Sequence, residues 1–274
     1  MTTTVAAIQM NSVADVAANL AAAKRLLTEA AAGGAKLAVL PENFAFMGAH
    51  EAAKLVHAEP LGSGPIQSFL ADTAKALSMW IVGGTIPLAV PDDARKVYAA
   101  SLVFNDQGQR VAHYDKIHLF DVDVLRDGKT ESYRESNSIA FGSVSPTFTE
   151  TPAGVLGLSV CYDLRFPELY RSLSSQGAQL LCVPSAFTEK TGEAHWEILL
   201  RARAVENLCA VIAPNQTGTH AGGRRTWGHS MIISPWGEIL AQRAEGEGVV
   251  LATLDAEAQT KVRSSFPSLN HRRL

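Results

Sequence analysis

Residues 154–170, GVLGLSVCYDLRFPELY, run from an unbroken apolar stretch through one cysteine into a charged helix start. Val155 to Val160 reads as a buried strand, and Arg165-Phe166-Pro167-Glu168 opens a helix. That switch places Cys161 at the carboxyl end of a sheet, where open α/β folds carry their active sites. A helix N-terminus nearby favours the thiolate. A lone cysteine in a strand is more often a core residue, since free Cys is among the most buried types. The polar sequence after Cys161, and two partners upstream, shift that reading towards chemistry.

The rest of the chain supplies the matching layers. Val5–Met10 reads as a first strand, and Asn11 or Ser12 as the cap of a helix with Val16, Leu20, Ala23, Leu27 and Ala30 on one face. Lys36–Leu40 is a second strand, stopped by Pro41. Gly64–Met79 is helical, and Trp80–Leu88 is a strand. Val97–Asn105 and Arg110–Lys116 flank Asp106-Gln107-Gly108 as a hairpin. Phe120–Ser145 is polar and irregular, with the length of an active-site loop. Strands follow at Gln179–Pro184, Cys209–Pro214, Gly228–Ser234 and Val249–Leu254, with a helix over Gly192–Leu208 and a short one begun by Asp255. Alternating helices and strands mixed with antiparallel hairpins predict a layered α/β sandwich with mixed sheets. No GxGxxG or GxxxxGK[ST] suggests a nucleotide site. With no linker or low-complexity tract, residues 1–274 read as one domain.

Composition narrows the partners. A formal charge of -3 gives no electrostatic case for nucleic acid or an anionic membrane. Three cysteines, Cys161, Cys182 and Cys209, make no disulfide framework and suit a reducing cytoplasm. The opening MTTTVAAIQM lacks the basic and apolar regions of a signal peptide, and no run is long enough to span a bilayer. A small-molecule substrate remains.

Glu42, Lys116 and Cys161 each stand at a predicted strand end. Singly, the first two read as solvated surface residues. Together they are a base, a cation and a nucleophile, the set that thiol acyl transfer requires.

The same residues carry a family likeness. PENF (41–44), DKIHLFD (115–121) and VCYDLRFPELYR (160–171) resemble the three signature blocks of the nitrilase superfamily of carbon–nitrogen hydrolases. ESNS (135–138), SAF (185–187), WGHSM (227–231), PWGE (235–238) and HRR (271–273) extend the resemblance over nearly the whole chain. It implies an α-β-β-α sandwich with mixed sheets and outer helices, a homodimer, and no metal or organic cofactor. It also implies a catalytic triad of Glu42, Lys116 and Cys161, with Glu135 orienting the lysine and Glu131 as the competing match. The oxyanion would meet Lys116 and the Tyr162 N–H, and Arg165 would pair with a substrate carboxylate or hold the helix. Within the superfamily the chain is most similar to the Nit branch. That implies an amidase cleaving a linear non-peptide amide of a carboxylic acid with loss of ammonia. Deaminated glutathione is the expected substrate. The alternatives are α-ketoglutaramate or α-ketosuccinamate, as for an ω-amidase, and N-carbamoyl amino acids. The stretch Gly218–Arg225, with two arginines, departs from the family pattern and offers cations for a glycine carboxylate.

Three other readings are open to the residues. A Cys–His hydrolase would use His118, His195 or His229, and a metal site would use His113, His118, Asp121 and Asp123. Lys116 in their midst would repel a cation. A non-catalytic interaction protein of the same fold has no need of all three triad residues. Cys182 and Cys209 lie in apolar runs and read as core.

Overall fold

Alternate residues of the first strand lie in two different apolar layers. β1 (Thr2–Gln9) places Val5 and Ala7 in one core cluster and Ala6 and Ile8 in another, so both of its faces are covered. The structure, a computed structural model, describes residues 2–126 and 128–273. The chain continues through α1 (Val16–Ala32), β2 (Leu37–Val39), α2 (Pro65–Leu77) and β3 (Trp80–Val82). β4 (Ile86–Ala89), β5 (Val97–Phe104) and β6 (Arg110–Asp115) follow, then a hairpin of β7 (Asp121–Arg126) and β8 (Lys129–Arg134). β9 (Phe148–Thr151), β10 (Gly154–Leu158), α3 (Pro167–Ser175), β11 (Leu180–Cys182), α4 (Glu189–Asn207) and β12 (Ala210–Ala213) come next. The last elements are β13 (Thr217–Thr219), β14 (Arg225–Trp227), β15 (Ser230–Ile233), β16 (Ile239–Arg243), β17 (Gly248–Asp255) and α5 (Ala256–Ser265).

Two large mixed sheets result. One runs β17-β1-β2-β3-β5-β4 with β6 paired on β5; the other runs β16-β15-β12-β11-β10-β9. The sheets face each other. Val5, Ala7, Leu37 and Val39 of the first share a cluster with Leu156, Leu158, Leu181 and Ile212 of the second. α1 and α2 pack on the first sheet through Leu26, Leu27, Ile66 and Leu70, and α3 and α4 add Leu173, Trp196 and Leu200 to the shared cluster. This is the α-β-β-α sandwich expected from the sequence. Among the described residues, no helix is long and apolar enough to cross a membrane.

Three local expectations are corrected. The cap of α1 is Asp15, whose carboxylate accepts from Ala18 N at 3.0 Å, while Ser12 Oγ donates to Phe44 O. The expected strand over 80–88 breaks in two at Gly83-Gly84. Gly84 has φ 51°, and a Cβ there would collide with the Pro41 carbonyl beside Glu42. The supposed irregular loop begins as the β7–β8 hairpin. The alternation in DVDV is short, and its polar face is bonded across the hairpin, Asp123 to Ser132 at 2.6 Å and to Arg134 at 2.9 Å.

Candidate active site

Lys116 is wholly buried, and its surroundings must supply negative charge. It follows β6 directly, and its Nζ lies 2.7 Å from Glu42 Oε1 and 2.9 Å from Glu135 Oε2. Glu42 comes just after β2, Glu135 just after β8, and Cys161 just after β10, so the group lies where strands of both sheets end. Glu42, Glu135 and Cys161 are buried as well. The sequence reading named these four residues, and the fold brings all of them together. Glu131, the competing match, instead accepts from Tyr133 OH at 2.9 Å.

Backbone N–H groups anchor both carboxylates as well. Glu42 Oε2 accepts from Ala186 N at 2.9 Å, and Glu135 Oε2 from Phe120 N at 2.8 Å. Gln216 Nε2 donates to the Glu42 carbonyl, and Thr85 Oγ1 accepts from Asn43 N. Two non-glycine residues here sit in left-handed backbone: Asn43 at φ 57° and Cys161 at φ 47°. Such strain concentrates at functional sites, held by the surrounding structure.

Electrostatics set the resting protonation. Burial works against the Glu42 carboxylate, but the Lys116 charge and hydrogen bonds from Lys116 and Cys161 outweigh it and hold the group below its usual range. Burial likewise works against the Lys116 ammonium, and Glu135 and Glu42 outweigh it, so the lysine stays charged far above its usual range. Cys161 goes the other way. Burial and the adjacent Glu42 push its thiol well up, and the Lys116 charge opposes them too weakly. The expectation of a resting thiolate is therefore corrected. The resting nucleophile is a thiol hydrogen-bonded to a carboxylate base, and its proton must move as it attacks.

A narrow pocket opens on this cluster. Cys161, Glu135, Tyr162, Phe120, Phe187 and Arg224 are among its walls. Arg165 is outside that lining. Its guanidinium lies 5.8 Å from the Tyr162 ring centroid and 5.3 Å from that of Phe187, with Nη1 3.3 Å from His195 Nδ1. The two arginines of the 218–225 stretch separate. Arg225 pairs outward with Glu189, whereas Arg224 turns into the cavity wall.

Sequence reasoning missed Asp163. Wholly buried two residues after the nucleophile, it accepts from Val160 N at 2.8 Å and Tyr114 OH at 2.7 Å. It also accepts from His118 N at 3.1 Å and His118 Nδ1 at 2.7 Å. It thus ties the nucleophile's turn to the segment carrying Lys116. Its position in CYDLR held no signal of that, because the donors arrive from β6 and the loop after it. Asp163→Asn removes one acceptor oxygen and turns an amide N–H towards these donors. We expect a loss of about 2 kcal/mol or more in urea unfolding, since several bonds to a charged group go at once. A variant within 0.5 kcal/mol of wild type, a difference ordinary for surface changes, would remove this role.

The rival histidines are engaged elsewhere. His118 stacks on Phe166 with centroids 3.7 Å apart while bonding Asp163, and His229 stacks on Trp227 at 4.2 Å. His195 meets Arg165. The residues considered for a metal do not converge either. His113 bonds Asp115, Asp121 accepts from Ser136 N, and Asp123 bonds Arg134.

Comparison with known proteins bears on the fold and the family. Residues 4–264 match the family model described as carbon–nitrogen hydrolase. A Synechocystis protein named deaminated glutathione amidase is 46% identical over 268 residues, covering 97% of each chain. The crystal structure of the Caenorhabditis elegans NitFhit protein superposes with TM-score 0.91 at 37% identity, covering 99% of this chain and 65% of that one. An amidase from Nesterenkonia, solved after Michael addition of acrylamide at its active-site cysteine, matches with TM-score 0.79 at 25% identity, covering 97% of this chain and 98% of that one.

Proposed function

The chain belongs to the carbon–nitrogen hydrolase family, and from that membership we infer that it is a cysteine amidase whose substrate is deaminated glutathione. The observation that carries the mechanism is Lys116 Nζ bridging Glu42 and Glu135 at 2.7 Å and 2.9 Å, with Cys161 beside them on a cavity wall. Glu42 takes the thiol proton as Cys161 Sγ attacks the amide carbon. The oxyanion forms against the Lys116 ammonium and the Tyr162 N–H, one of the first N–H groups of a helical turn and so without an acceptor inside it. Glu42 then passes its proton to the departing amine, and later draws a proton from the water that cleaves the thioester. Glu135 holds Lys116 in place. For a primary carboxamide the departing amine is ammonia. For deaminated glutathione it is the cysteinyl nitrogen of cysteinylglycine. Arg165 frames the mouth through Tyr162 and Phe187 and faces a carboxylate of the bound acid.

The Synechocystis relative's name supports this substrate over the short ω-amides. The SAF block acquires a physical role here, since Ala186 N holds Glu42 and Ala186 O accepts from Arg224 Nη2 at 3.1 Å. Wild-type enzyme should show kcat/KM for deaminated glutathione at least about 10-fold above that for α-ketoglutaramate, some 1.4 kcal/mol of discrimination. A preference for α-ketoglutaramate would reassign the chain as an ω-amidase, and turnover of N-carbamoyl amino acids alone would reassign it again.

The same reading takes residues 1–274 as one catalytic domain in a cytoplasmic homodimer. A core cluster running from Val5 to Leu254 supports the first point, and three cysteines left as free thiols are in keeping with the cytoplasm. Exposed Ile198 and Val205 on α4, beside Trp236, support self-association.

A further inference from the structure

Arg224 lines the Cys161 pocket and also a second, narrow one, walled by Asn43, Phe46, His50, Glu51 and Lys54 among others. Its guanidinium is only partly used. Nη1 donates to Glu51 Oε1 at 3.0 Å and Nη2 to Ala186 O at 3.1 Å, while the buried Nε has no hydrogen-bond partner. Five N–H donors leave a free edge, Nε with the second hydrogen of Nη2, shaped for two carboxylate oxygens. Lys54 pairs with the same Glu51 at 2.9 Å, so two cations share one carboxylate.

Beyond the amide carbon, deaminated glutathione carries a cysteinylglycine tail ending in a carboxylate, and the ω-amides carry nothing. Such a tail needs a cation at its end, and Arg224 stands where the pocket beside Cys161 meets the second one.

We propose that Arg224 binds the carboxylate on the leaving-amine side of the substrate and is the residue that selects the dipeptide amide over short ω-amides. The assignment rests on the amidase reading above. Arg225, paired with Glu189 at the surface, has no part in it. Arg224 also faces the charges of Glu42 and Glu135, so a purely electrostatic support of the reacting groups is the competing role. The two roles differ in which substrates they affect.

The test compares wild type, Arg224→Gln, Arg224→Lys and Arg225→Gln on three amides. These are deaminated glutathione, its C-terminal glycinamide and α-ketoglutaramate. For Arg224→Gln, kcat/KM on deaminated glutathione should fall about 30-fold or more, mainly through KM, as expected for losing a charged hydrogen bond. On the two substrates without that carboxylate the fall should be at least about 10-fold smaller, because only the support of Ala186 is lost there. Arg224→Lys should recover part of the loss, because it keeps the charge and loses the fork. Arg225→Gln should match wild type on all three. Equal losses on all three amides in Arg224→Gln would overturn the assignment while leaving the amidase reading intact. A wild-type enzyme that cleaves the glycinamide as well as the acid would overturn it too. Failure of wild type on every amide would instead overturn the amidase reading, and this one with it.

Discussion

Cys161→Ala is expected to lower amide hydrolysis by about 10⁴-fold or more, because no other group can form the covalent acyl intermediate. The fold should survive. Both residues are L-amino acids at the same left-handed position, and the exchange removes one sulfur from a cavity wall, so the stability change should stay within about 1 kcal/mol. Wild type quenched with a slow substrate should carry one acyl group, on Cys161. The other two thiols are poor competitors. Burial pushes Cys182 up to about 12 and Cys209 up to about 11, and neither lines the cavity. Cys161 is pushed up as well, so reactivity here comes from a base in contact and an opening to substrate. Acylation found on Cys182 or Cys209, or a Cys161→Ala variant with several per cent of wild-type rate, would end the nucleophile assignment.

Lys116→Met should cost both catalysis and stability, and the pH dependence separates the causes. Loss of the oxyanion partner lowers kcat by at least about 10²–10³-fold. The exchange also leaves Glu42 and Glu135 buried without their shared cation, a loss of about 3–5 kcal/mol near neutral pH. In wild type, the raised Lys116 pKa gives stability that is complete below the unfolded lysine value near 10.4 and fades as pH rises through the higher folded value. The lowered Glu42 pKa gives stability present above about 4.3 that fades as pH falls through the folded value. Without Lys116, burial is left to push the Glu42 carboxyl up. Its protonation then relieves the variant at low pH, and the penalty grows as pH rises past the unfolded value. The melting-temperature gap between variant and wild type should widen from pH 4 to pH 8. A gap independent of pH would show that Lys116 is not what keeps Glu42 charged.

How much of this was legible varied with the kind of force involved. Local signals marked β1 as a strand, the hairpin of β5 and β6, the helix α4, and the Asp255 start of α5, whose Oδ1 accepts from Glu257 N and Ala258 N. Each of these depends on neighbours in the chain. The β7–β8 hairpin escaped because its apolar alternation is confined to DVDV and its second strand, KTESYR, is mostly polar, and the break at Gly83-Gly84 escaped because it answers to the Pro41 carbonyl, a contact from the segment after β2.

The sequence by itself determined the layered α/β class, the positions of three reactive side chains at strand ends, and, through blocks such as PENF and VCYDLRFPELYR, the family. Those properties are written in short windows, where apolar period and turn residues act on near neighbours. Only the tertiary structure decided that Glu135 and not Glu131 meets Lys116, and that Arg224 enters the cavity while adjacent Arg225 faces Glu189. It also decided that Cys161 rests as a thiol, since its protonation follows from burial and from charges brought by residues 42, 116 and 135. Coulomb interactions and desolvation depend on distance in space, and the sheets that set those distances join residues more than a hundred positions apart.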